Sequence, residues 1–410
     1  MIETFLDNKD TSMCCGCSVC VDSCPVGAIS FEYGSDGAKY PKINEDTCIS
    51  CGACRRVCPV KEKPLLTDAA FEKKAYALMV ESADLREKSA SGGAFEAIAT
   101  ALYEMYDDLM VVGAVWGDDL RVYHKMVPYS EREALKKSKY VQSNCEGIYR
   151  EVKQKLTEGV HVLFTGTPCQ IAALRNFLKK EYDNLFLVDL VCHGTPGEHI
   201  FKKYLDDLET KIGANATKVT FRHKKKDLYG EVHSKYIRIQ LDNGKVIEEE
   251  ARRNPYLRGF HAGLFYRDSC YSCKYANKDR YGDITVGDYW RIQELNPEYV
   301  DYSGVSFLLF NTDKGWKLFD KLKNCKTLQT DVDALYKRNG QLLHPSKANP
   351  KHDYFISKFG TEPFEILMDD CIKREKVYKS IVSSLLPGKL KRKVKSIVRK
   401  KPKLEILQIR

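Results

Sequence analysis

No uninterrupted apolar run in this sequence reaches the roughly 20 residues that cross a bilayer as a helix. The first residues, "MIETFLDNKDTSMCC", hold no apolar stretch of the kind a secretory signal needs. A cytoplasmic location is the expectation. A charge excess is also missing from most of the chain. The formal charge is +10, but residues 389–410 ("KLKRKVKSIVRKKPKLEILQIR") hold ten Lys/Arg and one Glu, so the rest is nearly neutral. A nucleic-acid-binding core would spread basic residues over the folded domain, so no nucleic-acid partner is expected. Structural disulfides are disfavoured by the compartment. In a reducing cytoplasm, sixteen cysteines argue for metal clusters or redox chemistry.

What is present begins with two cysteine runs. "CCGCSVCVDSCP" gives Cys14, Cys17, Cys20 and Cys24, and "CISCGACRRVCP" gives Cys48, Cys51, Cys54 and Cys58, each run closed by a proline. Both have the spacing C-x2-C-x2-C-x3-C-P. Three closely spaced thiolates wrap one face of an iron–sulfur cubane from a single loop, and the fourth ligates the other cluster. On that pattern Cys14, Cys17, Cys20 and Cys58 hold one 4Fe–4S cluster, and Cys48, Cys51, Cys54 and Cys24 hold the second. A pair of zinc sites would not need two matched four-cysteine runs. Over about sixty residues the segment resembles the bacterial two-cluster ferredoxins, including the "PVGAISF" strand after the first run. Cys15 is an extra thiol beside a ligand and receives no role.

The 410 residues, 43% of them hydrophobic, suffice for a sizeable core and more than one domain. After "KEKPLL" strands and helices alternate, which predicts an α/β domain, α+β in parts, behind the small ferredoxin-like one. "KAYALMV" and "LMVVGAVW" read as strands. Ser89, Ser91, Gly92 and Gly93 stand just ahead of an amphipathic helix with Phe95, Ile98, Ala99, Leu102 and Met105 on its apolar stripe. Such a turn is either a cradle for a cofactor phosphate at a helix N-terminus or an ordinary cap. Lys139, in the polar loop "ALKKSKYVQSN", could neutralise a phosphate or a reduced anionic ring, or simply be solvated.

Two strand–turn–helix units follow. "GVHVLFTGTPCQIAALRNFL" puts Cys169 at the exit of a buried strand, and "NLFLVDLVCHGTPGEHIF" puts Cys192 at the exit of the next. In an open parallel sheet, sites form at the carboxyl ends of strands, so these two cysteines could meet; buried free cysteines are the alternative. "KVTFRHK" and "SKYIRIQLDNGKVIEEE" predict a β-rich stretch with an Asp-Asn-Gly hairpin. Cys270 and Cys273 form a CxxC pair with no second pair close by, open to zinc, dithiol and cluster readings. Asp288, in "GDYW", could orient the loop of that pair or cap a turn.

With "SGGAF", "SKYVQS", "GTPCQI", "VCHG", "CYSCKY" and "GDITVGDYW" in this order, residues 75–345 resemble the coenzyme F420 hydrogenase/dehydrogenase beta-subunit family. The resemblance implies a mixed α/β domain that binds FAD and carries its own 4Fe–4S cluster. Carried over by motif, Cys169, Cys192, Cys270 and Cys273 are the ligands of that third cluster. Ser89, Ser91, Gly92, Gly93 and Lys139 are the implied flavin contacts, with Lys139 as the catalytic candidate. The expected division is 1–63 for the ferredoxin domain, 70–150 and 151–345 for the two parts of the flavin domain, 346–388 for a helical extension and 389–410 for the basic tail.

The implied function is an oxidoreductase that links one-electron clusters, through flavin, to a two-electron small-molecule donor or acceptor. The alternative is an adaptor subunit that serves a separate enzyme. Expected partners are a ferredoxin or other redox protein, with homo- or hetero-oligomers open. Members with this architecture accompany cell-surface polysaccharide synthesis. The tail, with Ile381, Val382, Leu385, Leu386, Val394, Ile397 and Val398 among its basic residues, reads either as a contact to the inner membrane face or as solvated chain.

Overall fold

The computed structural model describes residues 13–374, except 65, 67, 227–231, 298, 300 and 302. The basic tail and the end of the predicted helical extension lie outside the described residues. Among the described residues no helix is long and apolar enough to cross a membrane.

The first sixty residues form two matched halves. Short helices Val19–Ser23 and Ala53–Val57 each follow a cysteine loop, and the hairpin β1 (Ile29–Tyr33) and β2 (Lys39–Ile43) lies between them. Each loop has a left-handed residue on both sides of its second cysteine: Gly16 and Ser18 around Cys17, Ser50 and Gly52 around Cys51. Two such reversals one residue apart curl the backbone tightly, and glycine or a small polar residue tolerates them best. After each helix the chain becomes extended at Cys24 and Cys58, which turns the fourth cysteine of each run away from the first three.

The larger part is built on an eight-stranded sheet. Its strands are β3 (Lys74–Val80), β4 (Met110–Trp116), β5 (Val122–Pro128), β6 (Val162–Gly166) and β7 (Leu185–Leu190). A separate three-stranded antiparallel sheet follows: β8 (Ala216–Lys226), β9 (Val232–Leu241) and β10 (Val246–Glu250). The chain then returns to the large sheet with β11 (Ile284–Asp288), β12 (Ser306–Phe310) and β13 (Cys325–Thr330). The order is β13-β3-β12-β11-β7-β6-β4-β5.

The sheet is mixed, in keeping with the expected α/β domain that is α+β in parts. Four central strands, β4, β6, β7 and β11, are parallel, and antiparallel strands flank them on both sides. Burial explains the division. Nearly every residue of β6 and β7 is buried, as central parallel strands require, while β13 alternates between half-buried and exposed positions as an edge does. The helix Ala94–Met105 forms as predicted and buries Ile98, Ala99 and Leu102, but Met105 at its end is exposed.

The small sheet shares a core with the helix Glu198–Ile212 and the C-terminal helices, around Phe201, Phe221, Ile237, Tyr256, Phe265 and Phe364. The pairing of β8 with β9 is irregular between Thr220 and His223, where Arg222 takes a left-handed conformation. A bulge of this kind re-aims a side chain, and it turns Arg222 toward the end of β11.

The ferredoxin-like part is bound to the rest by donors that take up its loop carbonyls. Asp22 caps the helix Ile148–Thr157, accepting from the Gly147 and Tyr149 amides at 2.7 and 3.0 Å. Arg150 donates to the carbonyls of Asp22, Val21 and Cys24, and Tyr149 Oη donates to that of Cys17. Gln142 donates to the carbonyls of Cys15 and Gly16, and Tyr275 Oη to that of Pro59. At Gly197 a Cβ would stand 2.4 Å from the Gly37 backbone, so only glycine allows the two chain segments to touch there.

Candidate functional site

The first candidate cysteine set surrounds one cavity. Cys14, Cys17, Cys20 and Cys58 line it together with Cys54 and the apolar Val19, Phe31, Pro41 and Val60. Burial pushes the Cys20 thiol well up, and the neighbouring Cys14, Cys58 and Cys54 sulfurs push it further. In the second set, burial raises Cys54, with Cys51 and Cys24 beside it. Cys24 Sγ also accepts from the Ala28 amide at 3.2 Å. Cys51 is exposed and Cys48 half-buried, so this set lies nearer the surface. Four cysteines from two crossed runs, ringing an apolar pocket, are the donor set a 4Fe–4S cluster requires.

The third candidate set comes from three separate segments. Cys169 stands at the start of the helix Pro168–Leu178, after β6. Cys192 follows β7 in an irregular segment, because the next helix begins only at Glu198. Since β6 and β7 are adjacent and parallel, their exits share one edge of the sheet. The short helix Asp268–Tyr271 and its following turn bring Cys270 and Cys273 to the same place. All four line one cleft with about 710 Å³ of empty space, counted to its open mouth. Burial raises the Cys192 thiol, and Cys270, Cys169 and Cys273 add to the effect. Burial likewise brings Cys270 up to about 11, against the opposing bond from the Thr195 amide. Among the described residues no three cysteine, histidine or carboxylate side chains close on a point fit for a single metal ion. The cysteines ring cavities instead, a wider setting that fits a cubane's donor set.

Cys15, to which the sequence assigns nothing, joins the two sites. It lies beside Cys17 and Cys169 and lines both the first cavity and the third cleft. The only signal in the sequence is its place beside a ligand candidate.

The turn Ser89–Gly93 divides its roles. Ser89 Oγ donates to Leu85 O at 2.7 Å and so closes the preceding helix. A Cβ on Gly92 would meet Leu78 O at 2.3 Å and Ser306 N at 2.5 Å, so this glycine allows the turn to pass against β3 and β12. Gly93, at φ +96, begins the helix Ala94–Met105. Ser91 Oγ is buried with no partner.

Cations converge on this turn from β8. Arg222 donates to Ala90 O at 2.8 Å and pairs with Asp288 at 2.7 Å, while its Nε is buried without a partner. Lys224 is buried and donates to the carbonyls of Arg86 and Ser91. Burial lowers it to about 8, with Lys137 and Arg222 contributing. Asp288 therefore anchors Arg222 rather than the loop of the cysteine pair. His193, next to Cys192, and His261 fill the space toward Arg222, both held below the usual histidine range mainly by burial. The unpartnered Ser91 Oγ and Arg222 Nε, with the destabilised Lys224 cation, fit a phosphate-bearing group.

Lys139 lies in the same region. Its Nζ donates to the carbonyls of Ala134 and Lys136 at 3.1 and 2.8 Å, and the Glu96 carboxylate holds this loop through Arg132 and Lys136, each at 2.7 Å. Burial lowers Lys139 to about 7. From about pH 7 to its ordinary lysine range, the unfolded chain binds a proton that the folded chain does not, so stability rises with pH across that window. Lys139→Met should flatten this rise, read as the change in urea midpoint between pH 7 and pH 9.5.

Cysteine sets of this spacing, two in a ferredoxin-like module packed against an α/β domain, are of the iron–sulfur type. Known proteins share both parts. Residues 160–333 match the family described as the C terminus of the coenzyme F420 hydrogenase/dehydrogenase beta subunit, and residues 13–61 match the 4Fe-4S dicluster domain. The two matches lie in the order that the motifs imply, the dicluster match ahead of the beta-subunit match. It is 46% identical over 44 residues to the ferredoxin-type protein NapF of Haemophilus influenzae, 11% of this chain and 25% of that protein. It is 39% identical over 46 residues to the coenzyme F420-dependent sulfite reductase of Methanocaldococcus jannaschii, 10% of this chain and 7% of that enzyme. The chain thus spans a quarter or less of either relative. Among solved structures, a chain of the F420-reducing [NiFe] hydrogenase complex from Methanosarcina barkeri aligns at 14% identity and a TM-score of 0.40, over 76% of this chain and 90% of that one.

Proposed function

We propose that the protein is an iron–sulfur flavoprotein oxidoreductase, passing electrons between ferredoxin-type clusters and a two-electron small-molecule substrate by way of FAD. In this reading Cys14, Cys17, Cys20 and Cys58 hold the first cluster, Cys24, Cys48, Cys51 and Cys54 the second, and Cys169, Cys192, Cys270 and Cys273 a third. The observation that carries the proposal is Cys15, which lines both the first cavity and the third cleft. From Cys192 the side chains of His193, Asp288 and Arg222 lead on toward the cations around the Ser89–Gly93 turn. A third cubane there would lie between the ferredoxin part and those cations.

FAD supplies a centre that takes two electrons as hydride and releases them singly, which suits one-electron carriers. Ser91 Oγ, Arg222 Nε and Lys224 are the groups for its phosphates, while Gly93 packs against Val80 at the buried start of its helix. Lys139 Nζ, near pH 7 in its own titration, can hold a proton against the negative charge of a reduced ring. A redox partner protein reaches the second set where Val26 and Ile49 are exposed beside Cys51. A link to cell-surface polysaccharide synthesis at the inner membrane face belongs to the same reading and rests on the family resemblance and the basic tail.

Anaerobic purification with iron and flavin analysis tests the reading. About twelve iron and one flavin per chain are expected from three cubanes and FAD. About eight iron with no flavin would remove the large-domain part. Flavin that no small molecule reduces, but a partner protein does, would select the adaptor role.

A further inference from the structure

Arg267 is 1% exposed, one of the largest fully buried side chains in the protein. The other buried arginines, Arg175, Arg258 and Arg280, each pair with a carboxylate. Arg267 forms an ion pair with none of the described residues. Its guanidinium donates only to neutral oxygens: Nε to Cys14 O at 3.1 Å, one terminal nitrogen to Gln142 Oε1 at 2.9 Å, the other to Lys39 O at 3.0 Å. The ring of Tyr40 lies 4.3 Å from its Cζ. The nearby Asp36 is committed to Tyr40 Oη at 2.5 Å and the Ala38 amide at 3.1 Å.

A buried cation with no direct carboxylate partner is costly, and Asp36 acts on this one only at longer range, without an ion pair. The other anions at hand are the two cysteine sets. Arg267 binds the carbonyl of Cys14, in the first set, and its own carbonyl accepts from the amide of Cys270, in the third. We infer that Arg267 is the shared counter-ion of the first and third clusters, and that it raises the reduction potential of both. Each electron a cluster accepts adds a negative charge, and a fixed guanidinium within electrostatic reach of both Cys14 and Cys270 stabilises that charge at either set. Gln142, which bonds both Arg267 and the carbonyls of Cys15 and Gly16, holds the cation in register with the first loop.

The inference rests on the cluster reading above, and wild-type iron content judges that reading separately. The test is a redox titration of the full-length, anaerobically loaded protein followed by EPR, for wild type, Arg267→Met, Arg267→Gln and Arg267→Lys. In Arg267→Met the one-electron reduction equilibrium of the first and third clusters should fall at least tenfold, ~59 mV for each. The second cluster should move less, since none of its cysteines contacts Arg267. Arg267→Lys should restore most of the shift. An unmoved first cluster in Arg267→Met, or an equal shift in Arg267→Lys, overturns the proposal. If both neutral variants fail to retain iron, full loading of Arg267→Lys supports the charge role, and loss there too overturns it. If the wild type holds only about eight iron, the third cluster drops out of the reading, and the potential of the first cluster still decides the role of Arg267.

Discussion

Replacing Cys192 with serine should lower the iron content from about twelve atoms per chain to about eight and leave the two ferredoxin-type clusters intact. Cys192 is the most telling of the four third-site cysteines because Cys270, Cys169 and Cys273 all act on its thiol. Cys169 is a poorer choice, since Cys15 lines the same cleft and could take its place as a ligand. Cys15→Ser, by contrast, should keep the full iron complement. The ferredoxin signals should survive in Cys192→Ser because their eight cysteines come from residues 14–58, in a module with its own loops and hairpin. Iron analysis and EPR of the dithionite-reduced protein read both outcomes. An unchanged iron count would remove Cys192 from the ligand set and reopen the dithiol reading of Cys270 and Cys273.

The parts of this arrangement visible in the sequence are the locally encoded ones. Cysteine spacing, with glycine or serine around the second cysteine of each run, specifies a curled loop, and those residues do take the left-handed conformation. The strand exits at Cys169 and Cys192 were legible because β6 and β7 are short apolar runs that end in turn residues. Contacts between distant segments were not. Arg222 reaches the Ser89–Gly93 turn only because β8 is bulged, and no composition rule locates that irregularity. Nothing in the sequence singled out Arg267, and only docking of the first cysteine loop against it makes it a buried cation. Gly92 was read as part of a phosphate cradle or an ordinary cap, and what approaches it is strand backbone. The strand order was not legible for a related reason: β12 and β13 return antiparallel from the far end of the chain, where strand pairing follows topology rather than local pattern.

Arg280→Met should be the most destabilising single substitution near the third site, by about 3–5 kcal/mol. Arg280 and Asp189 form an ion pair at 2.6 Å, with side chains 1% and 0% exposed. Removing the guanidinium strands a carboxylate whose remaining protein donor, besides the pair, is the Gly282 amide at 3.1 Å. The same guanidinium bonds Tyr275 O, Leu190 O and Thr285 Oγ1, and so ties the segment after Cys273 to the strand that leads to Cys192. The loss should therefore appear twice, as a lower urea midpoint for the whole protein and as faster release of third-site iron to a chelator. The two effects separate in Asp189→Leu/Arg280→Met, which leaves no stranded charge. That double variant should recover much of the stability, because an apolar replacement of a buried pair costs far less than breaking it. It should still release third-site iron quickly, because the bonds to Tyr275 and Leu190 remain absent. Stability unrecovered in the double variant would show that Arg280 acts by packing and backbone bonding, with the buried charge on Asp189 contributing little.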